Sequence, residues 1–214
     1  MADNYLESKM EELRQAGQRK SAPKRNARAL DTLLTQNRSY RGYDKKVVVS
    51  HDTLTKIVAV NTKIPSARNQ QVLRFKLVTR DSGAEKVLEN IKLGGALPEL
   101  HLPFPGTEPE AFIIVCSTVA ESKLVDIDLG ISAQSMLLRA VEMGLNGIII
   151  GAFNKAAIIK EFGLELEPLL ILAIGKGAED IRLKPISEGE DQKYYREEGV
   201  QYVPKLKLEE IVLP

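Results

Sequence analysis

Apolar residues recur along the chain with two periods, and the two alternate. Leu6, Met10 and Leu13 lie at helical spacing among charges, which predicts a short amphipathic helix over residues 4–17. Ala29, Leu30, Leu33 and Leu34 allow a second short helix. In HDTLTKIVAVNTK, Leu54, Ile57, Val58 and Asn61 share a face, so a helix is expected over 51–63 with Ser50 as its N-cap. Pro65 ends it and opens the polar loop PSARNQQ. The period then changes to two, because Leu73, Phe75 and Leu77 alternate with Arg74, Lys76 and Val78 as in a strand. A helix starting near Ser82 is expected in SGAEKVLENIK. AFIIVCS at 111–117 is unbroken apolar, as a strand buried on both faces would be. A long helix is expected over 126–143, where Ile131, Gln134, Ser135, Leu138 and Val141 step around it and Gly144 takes the C′ position. GIII at 147–150, a helix at 154–162 ended by Gly163, and PLLILAI at 168–174 continue the alternation. Residues 176–202 read as charged and irregular, followed by VPKLKLEEIVL.

Strands interleaved with helices imply α/β or α+β layers around a central sheet. No repeat of 20–50 residues appears and no linker separates two cores, so residues 1–214 read as one domain, with 1–27 as an N-terminal helix or arm. Residues 94–110 hold four prolines and three glycines, the composition of a long loop or lid.

Composition narrows the chemistry. A chain of 214 residues can bury a core without staples, and 43% hydrophobic with 28% charged residues is the balance of a soluble globular protein. One cysteine excludes a disulfide framework and any cysteine-built zinc or iron–sulfur site, and suits a reducing compartment. Two histidines, His51 and His101, argue against a histidine-rich metal centre. No run reaches 18 apolar residues and MADNYLESKMEELRQ has no apolar leader segment, so a cytoplasmic, non-membrane protein is expected. The net charge of +1 argues against a polyanion binder over the whole surface. Charge is nevertheless uneven: Arg19, Lys20, Lys24, Arg25, Arg28, Arg38 and Arg41 face a single acid, Asp31. That stretch is a solvated arm, a polyanion contact or a phosphate clamp. Tyr40 and Tyr43 alone are too few for a base-stacking platform, so nucleic acid is a minor reading.

Several tempting constellations fail on chemistry. Ser50-His51-Asp52 spells a hydrolase triad, but adjacent side chains at a helix start cannot relay a proton, and a cap explains them better. Gly175-Lys176-Gly177 follows a strand but lacks both phosphate-loop spacings, and reads as a turn. Asp126 and Asp128 fit a charged helix N-terminus better than an acid–base pair. Cys116 sits inside an apolar strand and reads as inert.

Arg38-Ser39-Tyr40-Arg41 resembles the basic-Ser-x-basic motif that opens nitroreductase-family flavoproteins. One helix later, Pro65-Ser66-Ala67-Arg68-Asn69-Gln70-Gln71 is similar to that family's Pro-Ser-x-x-Asn-x-Gln loop. Asp128 to Leu138 resembles its central helix, Gly144-Leu145-Asn146-Gly147 its following turn, and Pro204-Lys205-Leu206-Lys207-Leu208 its basic C-terminal motif. The resemblance implies an α+β fold: a three-layer sandwich with a mainly antiparallel central sheet flanked by helices, in an intertwined homodimer. Its tail, here 203–214, is usually exchanged onto the partner's sheet, and two FMN sites lie in the interface.

For the cofactor, the resemblance implies phosphate contacts from Arg38, Ser39, Lys205 and Lys207, residue types suited to a dianion. Tyr40 belongs to the same motif. Arg41 is expected beside the pyrimidine edge of the flavin, where a cation favours the anionic hydroquinone. Asn69 and Gln71 resemble amides that bond ribityl and ring oxygens, and Pro65 and Ser66 resemble contacts from the other subunit. Gly151, preceded by Ile150, resembles the residue whose N–H points at flavin N5. The implied activity is NAD(P)H-dependent and ping-pong: hydride passes through FMN to an electron-poor small molecule, a nitroaromatic or quinone, and no side chain acts as nucleophile. Two other classes stay open: a flavin-binding protein without turnover, and a nucleic-acid-binding adaptor built on the 19–41 arm. The departures are Asn37 where many members have arginine, Val72-Leu73 in place of Pro-Trp, and the charged Arg68.

Overall fold

The structure, a computed structural model, describes residues 28–95 and 97–213. The expected helix at 4–17 and the basic positions up to 25 lie outside the described residues. The chain divides into two compact units, Met1–Thr32 and Leu33–Pro214, and the second holds both sheets and the helices packed on them.

Four strands form the central sheet: β1 (Leu73–Thr79), β2 (Ala111–Ser117), β3 (Asn146–Ile150) and β4 (Glu167–Gly175). Their order is β1-β2-β4-β3 and every neighbouring pair is antiparallel. β2 and β4 are central and covered on both faces, which is why their sequences are unbroken apolar. β1 lies at an edge and its burial alternates, as its period of two requires.

Successive residues of the central strands face opposite layers. Ile113, Val115 and Leu172 pack against helices His51–Val58 and Lys123–Glu142 through Leu54, Ile57, Met136 and Ala140. Phe112, Ile114 and Ile171 pack the other way, against Val87 and Ile158 of helices Ala84–Leu88 and Lys155–Phe162. Each such side chain contributes about 1.5–3 kcal/mol on burial. The result is the expected α+β sandwich of helix, sheet and helix.

Element ends follow local signals. Ser50 Oγ accepts from the Thr53 N–H at 3.1 Å, so the triad-like letters are a cap, and Asp52 pairs with Lys56 at 2.6 Å. That helix turns 3₁₀ over Ala59–Thr62. The central helix starts at Lys123, earlier than expected, because Ser122 rather than an aspartate is its N-cap. The helix expected from Ser82 is shortened to Ala84–Leu88 behind Gly83, whose φ of 103° only glycine adopts readily.

Residues 176–202 correct the sequence reading. They are not irregular but carry β5 (Asp180–Ile186), β6 (Tyr195–Glu197) and the start of β7 (Val200–Leu206), in a second sheet of order β5-β7-β6. β5 is exposed along most of its length, so no apolar alternation marks it. β5 and β7 run parallel, from Asp180 opposite Val200 to Ile186 opposite Leu206. Residues 203–206, expected on a partner's sheet, thus pair here with their own chain.

Candidate functional site

The segment 38–44 is laced to the open edge of β3 and the exit of β4. Ser39 bridges in parallel to Gly147, Tyr40 N–H donates to Gly147 O at 3.2 Å, and Tyr43 bridges antiparallel to Gly177. Asp44 N–H donates to Lys176 O at 2.8 Å and Ala178 N–H to Gly42 O at 3.1 Å. This is the work of Gly175-Lys176-Gly177. A Cβ on Gly177 would lie 2.3 Å from two ring carbons of Tyr40, and one on Gly175 would lie 2.6 Å from Cδ1 of Tyr43. The glycines seat two tyrosine rings, and the Tyr43 hydroxyl, its pKa driven up by burial, donates to Tyr40 O at 2.9 Å.

With Tyr40 turned onto Gly177, its neighbours Arg38, Ser39 and Arg41 line a cavity of about 260 Å³ with Asn37, Tyr194 and Lys205. Arg41 is buried; Nη1 donates to Ser39 O at 3.0 Å, Nη2 to the Tyr194 hydroxyl at 3.2 Å, and its guanidinium lies 4.8 Å from the centre of the Tyr194 ring. Arg38 donates from Nη2 to Leu34 O at 2.6 Å, and burial pulls its pKa below the ordinary value. The Nε–H groups of both arginines are buried and have no hydrogen-bond partner among the described residues. Asn37 spends its amide on Gln134 Oε1 at 3.2 Å. Lys207 lies outside the cavity, with Nζ on Ser187 Oγ at 3.0 Å.

The PSARNQQ residues gather elsewhere. Pro65, Ser66 and Gln71 line a second, larger cavity of about 460 Å³ beside the central helix, which shares no lining residue with the first. Their loop is strained: Arg68, Asn69 and Gln71 take φ values of 52°, 54° and 51°. Left-handed backbone at non-glycine residues costs of order 1 kcal/mol each and persists where surroundings impose it. Buried Asp128 of the central helix anchors the start of this loop, accepting the Ala67 N–H at 2.6 Å. Gln71 Nε2 donates to Asn69 Oδ1 at 3.1 Å. Asp128 is therefore a loop anchor and not half of an acid–base pair.

Ile150 is buried at the end of β3, and Gly151 beyond it is exposed with nothing within 4 Å of an added Cβ. The stretch 90–92 clips alongside, with Lys92 N–H on Ala152 O at 2.9 Å and Asn154 N–H on Asn90 O at 2.8 Å. Cys116 is buried, and desolvation lifts its thiol pKa to about 11.

Four residues escaped the sequence reading: Glu179, Tyr194, Arg196 and Gln201. Glu179 accepts the N–H groups of Arg41 and of Gly42, the latter at 2.9 Å, and pairs with Arg196. Arg196 also donates to Gln201 Oε1 at 3.1 Å and lies 5.5 Å from the Phe104 ring centre. All four fall in or beside the stretch read as irregular, and no spacing in the sequence links them to Arg41.

Residues 34–176 match the model of the nitroreductase family, well over half of the chain. The chain belongs to this family. A Bacillus subtilis (strain 168) protein named "Putative NAD(P)H nitroreductase YdgI" is 26% identical over an alignment covering 69% of this chain and 88% of that protein. A "putative nitroreductase in complex with FMN" from Exiguobacterium sibiricum 255-15 superposes with a TM-score of 0.56 at 23% identity, covering 70% of this chain and 88% of that one. The nitroreductase NfnB from Mycobacterium smegmatis, solved with NADPH, gives 0.57 at 18%, covering 71% and 89%. These likenesses agree with the sandwich of helix, antiparallel sheet and helix.

Proposed function

We propose that this nitroreductase-family chain is an FMN-dependent NAD(P)H oxidoreductase acting on an electron-poor small molecule such as a nitroaromatic or quinone. The observation that carries the reading is the pair of arginines lining the 260 Å³ cavity, each burying an Nε–H that no described residue accepts from. A buried donor without an acceptor costs about 1–3 kcal/mol, so such a site favours an anionic, acceptor-rich ligand. Lys205 and Ser39 on the same wall add a cation and a hydroxyl. This donor set suits a phosphate. The FMN and NADPH complexes of family relatives support the same assignment.

FMN, when bound, supplies hydride transfer at N5, so that reduction by NAD(P)H and reoxidation by the acceptor make ping-pong turnover. The chain's part is to bind and orient. Arg38, Ser39 and Lys205 would hold the phosphate, whereas Lys207 is turned to Ser187 outside the cavity. Arg41, tethered by Ser39 O and the Tyr194 hydroxyl, would meet the ring's pyrimidine edge. Gly151 offers open backbone for close approach.

The cavity of about 260 Å³ is below the ~300–1,000 Å³ typical of pockets that enclose a drug-sized ligand. Pro65, Ser66, Asn69 and Gln71 lie on or beside the separate cavity, so they complete the site from a second copy. The central helix carries the matching surface. Leu124 and Ile127 are 36% and 47% exposed, and Ile131 and Leu138 continue the stripe on the face away from the sheet. The functional unit is therefore a homodimer. Among the described residues no helix is long and apolar enough to cross a membrane, and a cytoplasmic setting fits. The test is the Ile127→Glu variant, which should sediment as a single chain and lose FMN together; a monomer that retains FMN would contradict the shared site.

A further inference from the structure

We propose that Glu179, clamped by Arg196, is the positioning residue that fixes Arg41 for the flavin; this rests on the reading of the Arg38–Arg41 cavity as the FMN site. An acid beside an anion site is unexpected, since alone it would repel a phosphate. Here it is spent otherwise. One carboxylate oxygen accepts both consecutive amides, of Arg41 and Gly42, and the other pairs with Arg196. Their side chains are only 8% and 16% exposed. Buried in this way the pair carries no net charge, and its hydrogen bonds are of the strong, charge-assisted kind.

The clamp completes the restraint on Arg41. Its guanidinium is already held by Ser39 O and Tyr194, so Glu179 fixes the main-chain end of the same residue. The three parts come from distant places: Arg41 from the segment laced to the β3 edge, Glu179 from the exit of β4, and Arg196 from β6. Phe104, from the long 94–110 loop, lies against the Arg196 guanidinium, so that loop rests on the clamp. Removing Glu179 leaves two amides without their acceptor and Arg196 uncompensated, and Arg41 is free to leave the ring edge.

The experiment titrates FMN into the flavin-stripped full chain by fluorescence and measures the midpoint potential of the bound flavin, for wild type, Glu179→Ala, Glu179→Gln and Lys205→Ala. Glu179→Ala is expected to weaken FMN about tenfold and to lower the potential, because a cation at the ring edge favours the reduced anion. Glu179→Gln, whose amide oxygen can accept the two backbone N–H groups while its NH2 faces the Arg196 guanidinium, should recover part of both. Lys205→Ala should weaken FMN comparably and leave the potential unchanged. If Glu179→Ala does not fold, Arg196→Met carries the test, with both readouts moving in the same direction by less. The proposal is overturned if folded Glu179→Ala, or Arg196→Met in its place, binds FMN within twofold of wild type, or loses affinity with no change in potential. A wild-type chain that takes up no FMN overturns the site reading itself, a distinct result.

Discussion

Gly177→Ala is the most local test of how this site is built. Gly177 is not at a positive φ, so alanine meets no backbone penalty there, and the whole effect is steric. The new Cβ would lie 2.3 Å from Cδ1 and Cε1 of Tyr40, where carbon atoms rest at about 3.5–4.0 Å. The ring must therefore retreat by roughly 1 Å or more. It has little room, since the Tyr40 main chain is bonded to Gly147 and its carbonyl takes the Tyr43 hydroxyl. Overpacking of this kind costs about 1–3 kcal/mol. For a unit of this size that is a fall in Tm of about 2–12 °C. Thermal unfolding of the flavin-free protein measures it without ligand stabilisation. Because Arg38, Ser39 and Arg41 flank the displaced ring, FMN affinity should fall in the same variant. Truncating the ring should relieve the clash, so Tyr40→Leu combined with Gly177→Ala should cost less than the sum of the two changes. A Gly177→Ala protein that melts within 1 °C of wild type and binds FMN equally would refute the argument.

Other positions give contrasting outcomes. Gly151→Ala meets no atom within 4 Å, so it should leave Tm unchanged while weakening FMN binding or its reduction, as read by flavin titration and NAD(P)H bleaching. Glu108 and Glu110 hold the 104–110 stretch to Lys45 and Arg80. The Glu108 carboxyl is held below its ordinary 4.5 by the Gly106 N–H and its own amide, with Lys45 adding to them. Burial pushes Glu110 upward, but Arg80 and Lys45 outweigh it. Their stabilisation is thus fully present above about pH 4.5 and is lost as pH falls through the depressed values. Urea midpoints between pH 6 and 3 should decline less steeply in Glu108→Gln/Glu110→Gln. The buried Cys116 thiol, with its pKa lifted to about 11, should resist thiol reagents at pH 8 until the protein unfolds, and rapid native-state labelling would contradict that placement.

Much of the sandwich was legible because its central strands are buried on both faces and leave unbroken apolar runs such as Ala111–Ser117. The helix start at Ser50 and the stop at Gly163 were legible because capping is local chemistry. The second sheet was not, since β5 exposes almost every residue and its pairing with β7 is long-range. The same holds within the site. Arg38, Ser39, Arg41 and Lys205 could be named through a family resemblance, and the structure gathers them on one cavity. Tyr40 was named with them, but its ring is spent on Gly177, a partner 137 positions away that no local pattern announces. Glu179 and Arg196 are ordinary charges in sequence and acquire a role only where two backbone amides meet them.

The most direct test of the central claim is anaerobic sedimentation of the FMN-reconstituted protein recorded at flavin wavelengths, before and after NADH or NADPH. The account predicts a dimer carrying one FMN per chain, bleached by at least one pyridine nucleotide and recoloured by a nitroaromatic or quinone. A colourless single chain that leaves the added FMN in solution would contradict it.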